Sequence, residues 1–307
     1  MGWRDLNLSY GYILAGILVW STQAFVSKML VTSMGFLSVY FFASLFTSIT
    51  AFVCYLIVSK GKPDFSFLKE PRKVLVMSVF LTLANFLLFA SFGMLSASNV
   101  VVMLYMYPIF MSVLNSVIMK KGMSGREIAG LAMGFVGIFI FATNGNVLSL
   151  HIDNVFANVM ILMAALAWAS YLIIQKNYNF DEFGSNSAAF ALSVVYVLPL
   201  LAVGAFLPKG VVLPGPNSFL LLLYFSVVTF ALGNVIYVKG LKRTKTVNTA
   251  LLSYLTPVIA VVLDYLILNE KLFWYELVPI VFIFFGYAVI NIGNKKRKPA
   301  SAPHQKV

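Results

Sequence analysis

Charge is scarce in this sequence: 10% of its 307 residues are Asp, Glu, Lys or Arg, where a soluble domain carries roughly 25%. That shortage excludes a chain bathed mainly in water. A single cysteine, Cys54, excludes an intrachain disulfide and says little about redox compartment. The two histidines, His151 and His304, fall in a loop and a tail, and no cluster has metal-ligand spacing. Glycine-rich phosphate loops, HExxH and GxSxG are all missing. The chain therefore reads as neither an enzyme nor an ATPase, and no metal or other cofactor is implied. A net charge of +12 would suit nucleic acid. That partner is rejected, because the basic residues sit in short segments between apolar runs and not on one soluble face. No cleavable leader is convincing: the first apolar run is long enough to span a bilayer, and its small-residue cleavage pattern is weak.

What is abundant is apolar length. With 61% hydrophobic residues, the chain divides into ten runs, at about 8–30, 35–59, 73–95, 98–119, 125–143, 154–175, 185–207, 216–238, 246–268 and 273–292. A bilayer core needs roughly 20 helical residues. A lipid-exposed backbone must pair its own hydrogen bonds, so each run is predicted to be a helix. Barrel strands would alternate and be half as long. With the N-terminus inside, 19 of the 22 Lys and Arg residues fall on the inner face, and Lys28, Lys209 and Lys271 fall outside. This bias predicts a multi-pass protein of the cell membrane with both termini cytoplasmic.

The chain also repeats itself. Shifted by 149 positions, 99–142 lands on 248–291 with nine identities in 44 ungapped positions. They include Asn99 on Asn248, Tyr105 on Tyr254, Pro108 on Pro257, Glu127 on Glu276 and Gly137 on Gly286. Upstream, Trp20 and Lys28 are echoed by Trp168 and Lys176. A unit of this length reads as a duplicated half-molecule. The parts are a cytoplasmic N-terminus (1–7), a first five-helix repeat (8–143), a connecting loop (144–153), a second repeat (154–292) and a basic cytoplasmic tail (293–307), predicted to be disordered and drawn to an anionic leaflet. Five is odd, so the second repeat enters the membrane in the opposite sense. That is the inverted plan of many secondary transporters, with a site near mid-bilayer.

Polar residues recur at helical spacing in six runs: Trp20, Gln23 and Ser27; Ser78, Thr82 and Asn85; Tyr105, Pro108 and Ser112; Trp168, Tyr171 and Gln175; Ser226, Thr229, Asn234 and Tyr237; and Tyr254, Pro257 and Asp264. Such stripes face protein or water, because polar groups in hydrocarbon are costly. Interhelical hydrogen bonding in a dry bundle is one reading. A shared central cavity is the other, favoured by the pairing of the stripes. Trp20, Gln23, Asn85, Tyr105, Trp168, Tyr171, Asn234, Tyr237 and Tyr254 are then the predicted solute-binding residues. Pro108 and Pro257 are predicted to break their helices and free the carbonyls of Leu104 and Ser253. Asp264, the one acid well inside a run, reads either as an ion-coupling site or as a snorkelling carboxylate near the outer interface. Lys28 and Lys176 read as interface anchors or, alternatively, as gating groups. Gly130, Gly134 and Gly137 predict close helix packing.

Ten helices, the five-plus-five duplication and the twinned pattern of Asn, Tyr and Pro followed by a glycine-bearing helix resemble the drug/metabolite transporter superfamily, in its EamA-like branch. The second copy matches more closely, with Tyr254 to Pro257, Leu268 to Glu270, and Gly286. In the first copy Met119, Lys120 and Lys121 stand where the Leu-Asn-Glu of 268–270 stands in the second, so Glu270 has no twin. The resemblance implies an alternating-access carrier, often an exporter of amino acids or other metabolites, driven by protons or by exchange. It also implies a cavity lined by helices 1, 3, 4, 6, 8 and 9. Small four-helix relatives carry a glutamate in their first helix; the first run here has no acid. The expected partners are a small solute, protons or an exchanged solute, and lipid. The competing expectations are a receptor or scaffold with a dry bundle, and a lipid-modifying enzyme, for which no acid–base pair is visible.

Overall fold

Apolar runs become helices here because each backbone pairs within itself. The computed structural model describes residues 3–92, 94–95, 100, 103–146, 154–178, 180–204, 211–268 and 273–292, and no strand occurs among them. Nine helical stretches among the described residues are long and apolar enough to cross a membrane, and the fourth run supplies a shorter apolar helix, Tyr107–Ile118. The others, in order, are the first span (Asn7–Met34), the second (Phe36–Val58), the third (Pro71–Ser91), the fifth (Gly125–Ala142), the sixth (Val155–Asn177), the seventh (Glu182–Ala202), the eighth (Pro216–Arg243), the ninth (Thr246–Leu263, its helix continuing to Leu268) and the tenth (Trp274–Asn291).

Local chemistry sets the ends. Pro71 and Pro216 occupy first-turn positions, where a missing N–H costs nothing. Gly35 alone joins the first two spans, at φ 75° and ψ 154°, a conformation essentially closed to residues with a Cβ. The repeated glutamates prove to be caps. Glu127 accepts from the Ser124 N–H at 2.8 Å, and Glu276 accepts from the Phe273 N–H at 2.6 Å.

Repeat-equivalent helices pack on one another: second on seventh, fifth on tenth, and fourth on ninth. The first lies on the eighth, as the sixth lies on the third. This self-mapping set is what a two-fold axis produces. The equivalents run antiparallel. A Cβ on Gly130 would meet the Gly286 carbonyl at 2.8 Å, while one on Gly137 would meet the Pro279 backbone at 2.9 Å. Arg126, at the start of the fifth span, donates to the Ile292 carbonyl after the end of the tenth at 2.6 Å. Ser48 and Ser187 exchange hydroxyl-to-carbonyl bonds of 3.0 and 2.9 Å between the second and seventh spans. The fold is thus a tandem of two inverted helical repeats. Its glycines let helices approach as close as backbone contact, and the tenth span turns Val281, Phe284 and Phe285 outward, as a lipid-facing surface requires.

Four spans are not plain α-helices over their described residues, the fourth being interrupted at Tyr105–Met106. The first breaks at Ser21–Thr22, between helices Trp3–Trp20 and Gln23–Met34. The ninth breaks at Tyr254. The eighth is π-helical over Phe225–Gly233. Pro108 and Pro257 stand in the first turns of Tyr107–Ile118 and Leu255–Leu268, so each proline opens a new half-helix after a break and does not bend a continuous one.

Candidate functional site

The breaks converge on one cavity of about 410 Å³. Its wall comes from the first span (Trp20, Ser21, Gln23, Phe25), the third (Ala84, Asn85, Leu88), the fourth (Leu104, Tyr105, Tyr107), the sixth (Ala164, Trp168) and the ninth (Thr256, Pro257, Ala260, Val261). Phe92, Leu95 and Val100, in the connection between the third and fourth spans, and Phe141, at the end of the fifth, place it in the half of the bundle away from the termini. The fourth span lies close against the sixth, but the ninth touches the first much less, and the cavity occupies that gap.

Aromatic rings build the floor. Trp20 and Trp168 meet edge to face at 5.6 Å. Tyr237 supports Trp20 at 4.4 Å, and Tyr171 supports Trp168 at 5.3 Å. The Trp20 indole N–H donates to the Thr229 carbonyl at 3.2 Å. Thr229 lies in the π-helical stretch, whose carbonyls also accept from Thr47 (at Ser226, 3.4 Å) and Asn186 (at Phe230, 3.4 Å). The first, second and seventh spans are thereby pinned to a single distorted segment. At the breaks, the Ser21 and Thr22 hydroxyls donate to the Leu18 and Val19 carbonyls at 2.6 and 2.9 Å, and Thr256 donates to the Ser253 carbonyl at 2.8 Å. That last bond occupies one of the two carbonyls expected to be freed by the prolines.

Of the nine predicted solute-binding residues, Trp20, Gln23, Asn85, Tyr105 and Trp168 line the cavity, as does Pro257. Tyr171, Asn234, Tyr237 and Tyr254 lie buried behind it. Tyr171 donates to Asn186 at 2.8 Å and accepts from Asn234 at 2.6 Å and from Gln175. Tyr237 shares a hydrogen bond with Ser253 at 2.7 Å. Tyr254 lies 6.5 Å from Tyr105, ring to ring, and its buried hydroxyl has no partner among the described residues. The eighth span contributes nothing to the described wall, contrary to the expected six-helix lining, whereas the fifth adds Phe141. The π-helical stretch turns the Ser226 hydroxyl onto the Ala43 carbonyl at 3.3 Å and Asn234 onto Tyr171 and Asn186, and buries the Thr229 hydroxyl with no partner among the described residues. Ser21 and Phe141 were missed by the sequence reading.

In the other half of the bundle, polar bonds tie the spans together. Lys176 donates to the Thr244 carbonyl at 2.9 Å and to the Thr246 hydroxyl at 2.6 Å, tying the sixth span to the eighth–ninth connection. Lys242 pairs with Glu182 at 2.9 Å and donates to the Phe180 carbonyl, also at 2.9 Å. Asn248 donates to Tyr10 at 3.0 Å. Lys176 is therefore an interhelical tie and not a free interface anchor. The side chains of Lys28 and Asp264 lie outside what the structure describes, as do Glu270, His151, His304 and the tail. No metal-binding group of three or more His, Cys, Asp or Glu occurs among the described residues.

An inverted helical tandem with a half-open central cavity defines a multi-pass membrane protein built on the plan of secondary carriers. The EamA-like transporter family matches at residues 7–143 and again at 155–292, and the chain belongs to that family. It is 28% identical over 186 residues, 59% of its length, to an uncharacterized transporter of Clostridium kluyveri, and 22% identical over 156 residues to one of Archaeoglobus fulgidus. The matched stretches span 58% and 53% of those two relatives, a little over half their length. It is also 20% identical over 225 residues to the uncharacterized transporter YyaM of Bacillus subtilis, covering 71% of this chain and 73% of that one. A solved crystal structure superposes with a TM-score of 0.74 at 15% identity, covering 92% of this chain and 96% of the other, a likeness of fold.

Proposed function

We propose that the protein is a secondary transporter of small aromatic or amphipathic metabolites, amino acids among the candidates, and that it works as an exporter in the cell membrane with both termini cytoplasmic. The observation that carries this reading is a solute-sized aromatic cavity open in one half of an inverted repeat whose other half is tied together by polar bonds. In an inverted repeat, exchanging the conformations of the two halves moves the opening to the opposite face. The first–ninth gap would then close while a gap between the fourth and sixth spans opens. The floor at Trp20 and Trp168 would stay in place, with Gln23, Asn85 and Tyr105 around the solute. Tyr171, Asn234, Tyr237 and Tyr254 enter this reading as supports of that floor.

Asp264 is carried as the ion-coupling candidate, on the ninth-span helix that also bears Ala260 and Val261. Uptake and counterflow in proteoliposomes over a metabolite panel, with and without a pH gradient, test both parts. Wild type should exchange at least one solute class, and Trp20→Ala with Trp168→Ala should fold but lose flux. If those variants mainly lose stability and no solute moves, the dry-bundle alternative holds. An Asp264→Asn variant with an unchanged response to the gradient would remove that residue from coupling.

A further inference from the structure

The chemistry left unspent on the cavity wall narrows the solute. Five of the eight polar residues there are already engaged: Ser21 bonds the Leu18 carbonyl, Thr256 the Ser253 carbonyl, and the Trp20 N–H the Thr229 carbonyl, while the Tyr105 hydroxyl meets Thr256 and the Tyr107 hydroxyl meets Ser253 and Tyr237. Three are not. The Gln23 carboxamide and the Trp168 indole N–H have no protein partner among the described residues. Asn85 uses its amide N–H on the Leu81 carbonyl at 3.1 Å, which leaves its side-chain oxygen free at the wall. The unspent set is neutral and mixes donors with acceptors. No charged side chain lies on the described wall.

We propose that the transported solute is an uncharged planar heterocycle with an amide-like edge, of the nucleobase class, bare or carrying a small neutral substituent. This rests on the transporter reading above. A carboxylate or ammonium in this cavity would lose its water without meeting a counter-charge on the described wall. A plain aromatic hydrocarbon would fill the space but leave the Gln23 and Asn85 groups unpaired. A sugar would satisfy them but presents only a C–H face to the indole rings, where a planar heterocycle presents a π-face. A carboxamide presents a donor beside an acceptor, the pattern that pairs edge-on with a nucleobase. Aromatic side chains hold bases by their faces without needing charge. Trp20, its N–H withdrawn to Thr229, offers only its ring, while Trp168 offers a ring and a donor. The cavity, about 410 Å³, lies in the ordinary range for small-molecule sites.

The test is counterflow in proteoliposomes with radiolabelled uracil, adenine and their ribosides, set against phenylalanine as a zwitterion and benzoate as an anion. Binding is read in parallel by quenching of indole fluorescence in nanodiscs. The heterocycles should show saturable counterflow, and phenylalanine and benzoate about tenfold less or none. Gln23→Leu and Asn85→Leu should each raise the half-saturating concentration for uracil or adenine about tenfold. Gln23 is only half-buried, so its variant stays informative if Asn85→Leu misfolds. Counterflow of phenylalanine but not of the heterocycles overturns this proposal and leaves the transporter reading intact. Heterocycle binding without counterflow of any class supports the site and overturns the transporter reading. Absence of both overturns both.

Discussion

Removing the ammonium of Lys176 should loosen the tied half of the bundle and leave the cavity wall untouched. Its two bonds, to the Thr244 carbonyl and the Thr246 hydroxyl, join the end of the sixth span to the connection between the eighth and ninth. Hydrogen bonds from charged groups contribute roughly 1.5–3 kcal/mol each, but interhelical bonds in a membrane protein average about 0.6 kcal/mol. The partly buried position argues for a value between these, about 1 kcal/mol per bond. Lys176→Met should therefore lower the cost of opening this face by ~2 kcal/mol, a shift of about 30-fold in the open population. Amide hydrogen exchange in nanodiscs reads that directly, because local exchange follows the opening free energy. Residues 244–253 should exchange about 30-fold faster in Lys176→Met. The exposed Lys69→Met variant, on the 3₁₀ turn before the third span, should match wild type. Unchanged exchange in Lys176→Met would mean that apolar packing alone holds this face shut, and the tie would have no part in gating.

Two further outcomes follow from packing and polar order. Gly130→Val should cost about 1–3 kcal/mol of stability, since its added atoms meet the Ile290 side chain and the Gly286 carbonyl, and that carbonyl is backbone and cannot move aside cheaply; thermal unfolding in detergent checks this, with the open position Gly122 as the control site. Tyr171→Phe deletes the hydroxyl that Asn186, Asn234 and Gln175 share. It should cost about 1–2 kcal/mol while changing solute half-saturation less than twofold, because the residue supports Trp168 from behind; a large affinity change with no stability loss would put Tyr171 at the solute.

The inverted tandem was legible in the sequence because it follows from counting: an odd number of helices per copy reverses the second. Trp20 and Trp168 were legible because equal spacing from a lysine marked them as twins. Close packing of the fifth span was legible from the spacing of Gly130, Gly134 and Gly137, but its partner, the tenth span, was not. What escaped was local helix geometry. Ser21 and Thr22 carry no break signal of their own, since such hydroxyls also bond backward within intact helices. The eighth stripe was misread because a 3.6-residue period was assumed throughout. The step of five from Thr229 to Asn234 fits a π-turn and not an α-turn. That step carries the second half of the stripe away from the cavity and into bonds with Tyr171 and Asn186. The helix spacing of Tyr171 behind Trp168 likewise showed a common face, but could not say which residue reached the cavity and which stood behind it.

A carrier of this kind needs a water-filled hollow between the two inverted copies, reached here through the gap between the first and ninth spans. Cys54 is the one native cysteine, so Cys54→Ser gives a clean background for Ala260→Cys on the cavity wall and Val281→Cys on the outward face of the tenth span. Labelling each variant with a membrane-impermeant thiol reagent is the most direct measurement. Ala260→Cys should react rapidly from the face opposite the termini and lose counterflow on reaction, while Val281→Cys should stay unlabelled in lipid. If Ala260→Cys is as inert as Val281→Cys, or reacts without effect on flux, the hollow is not the path of the solute.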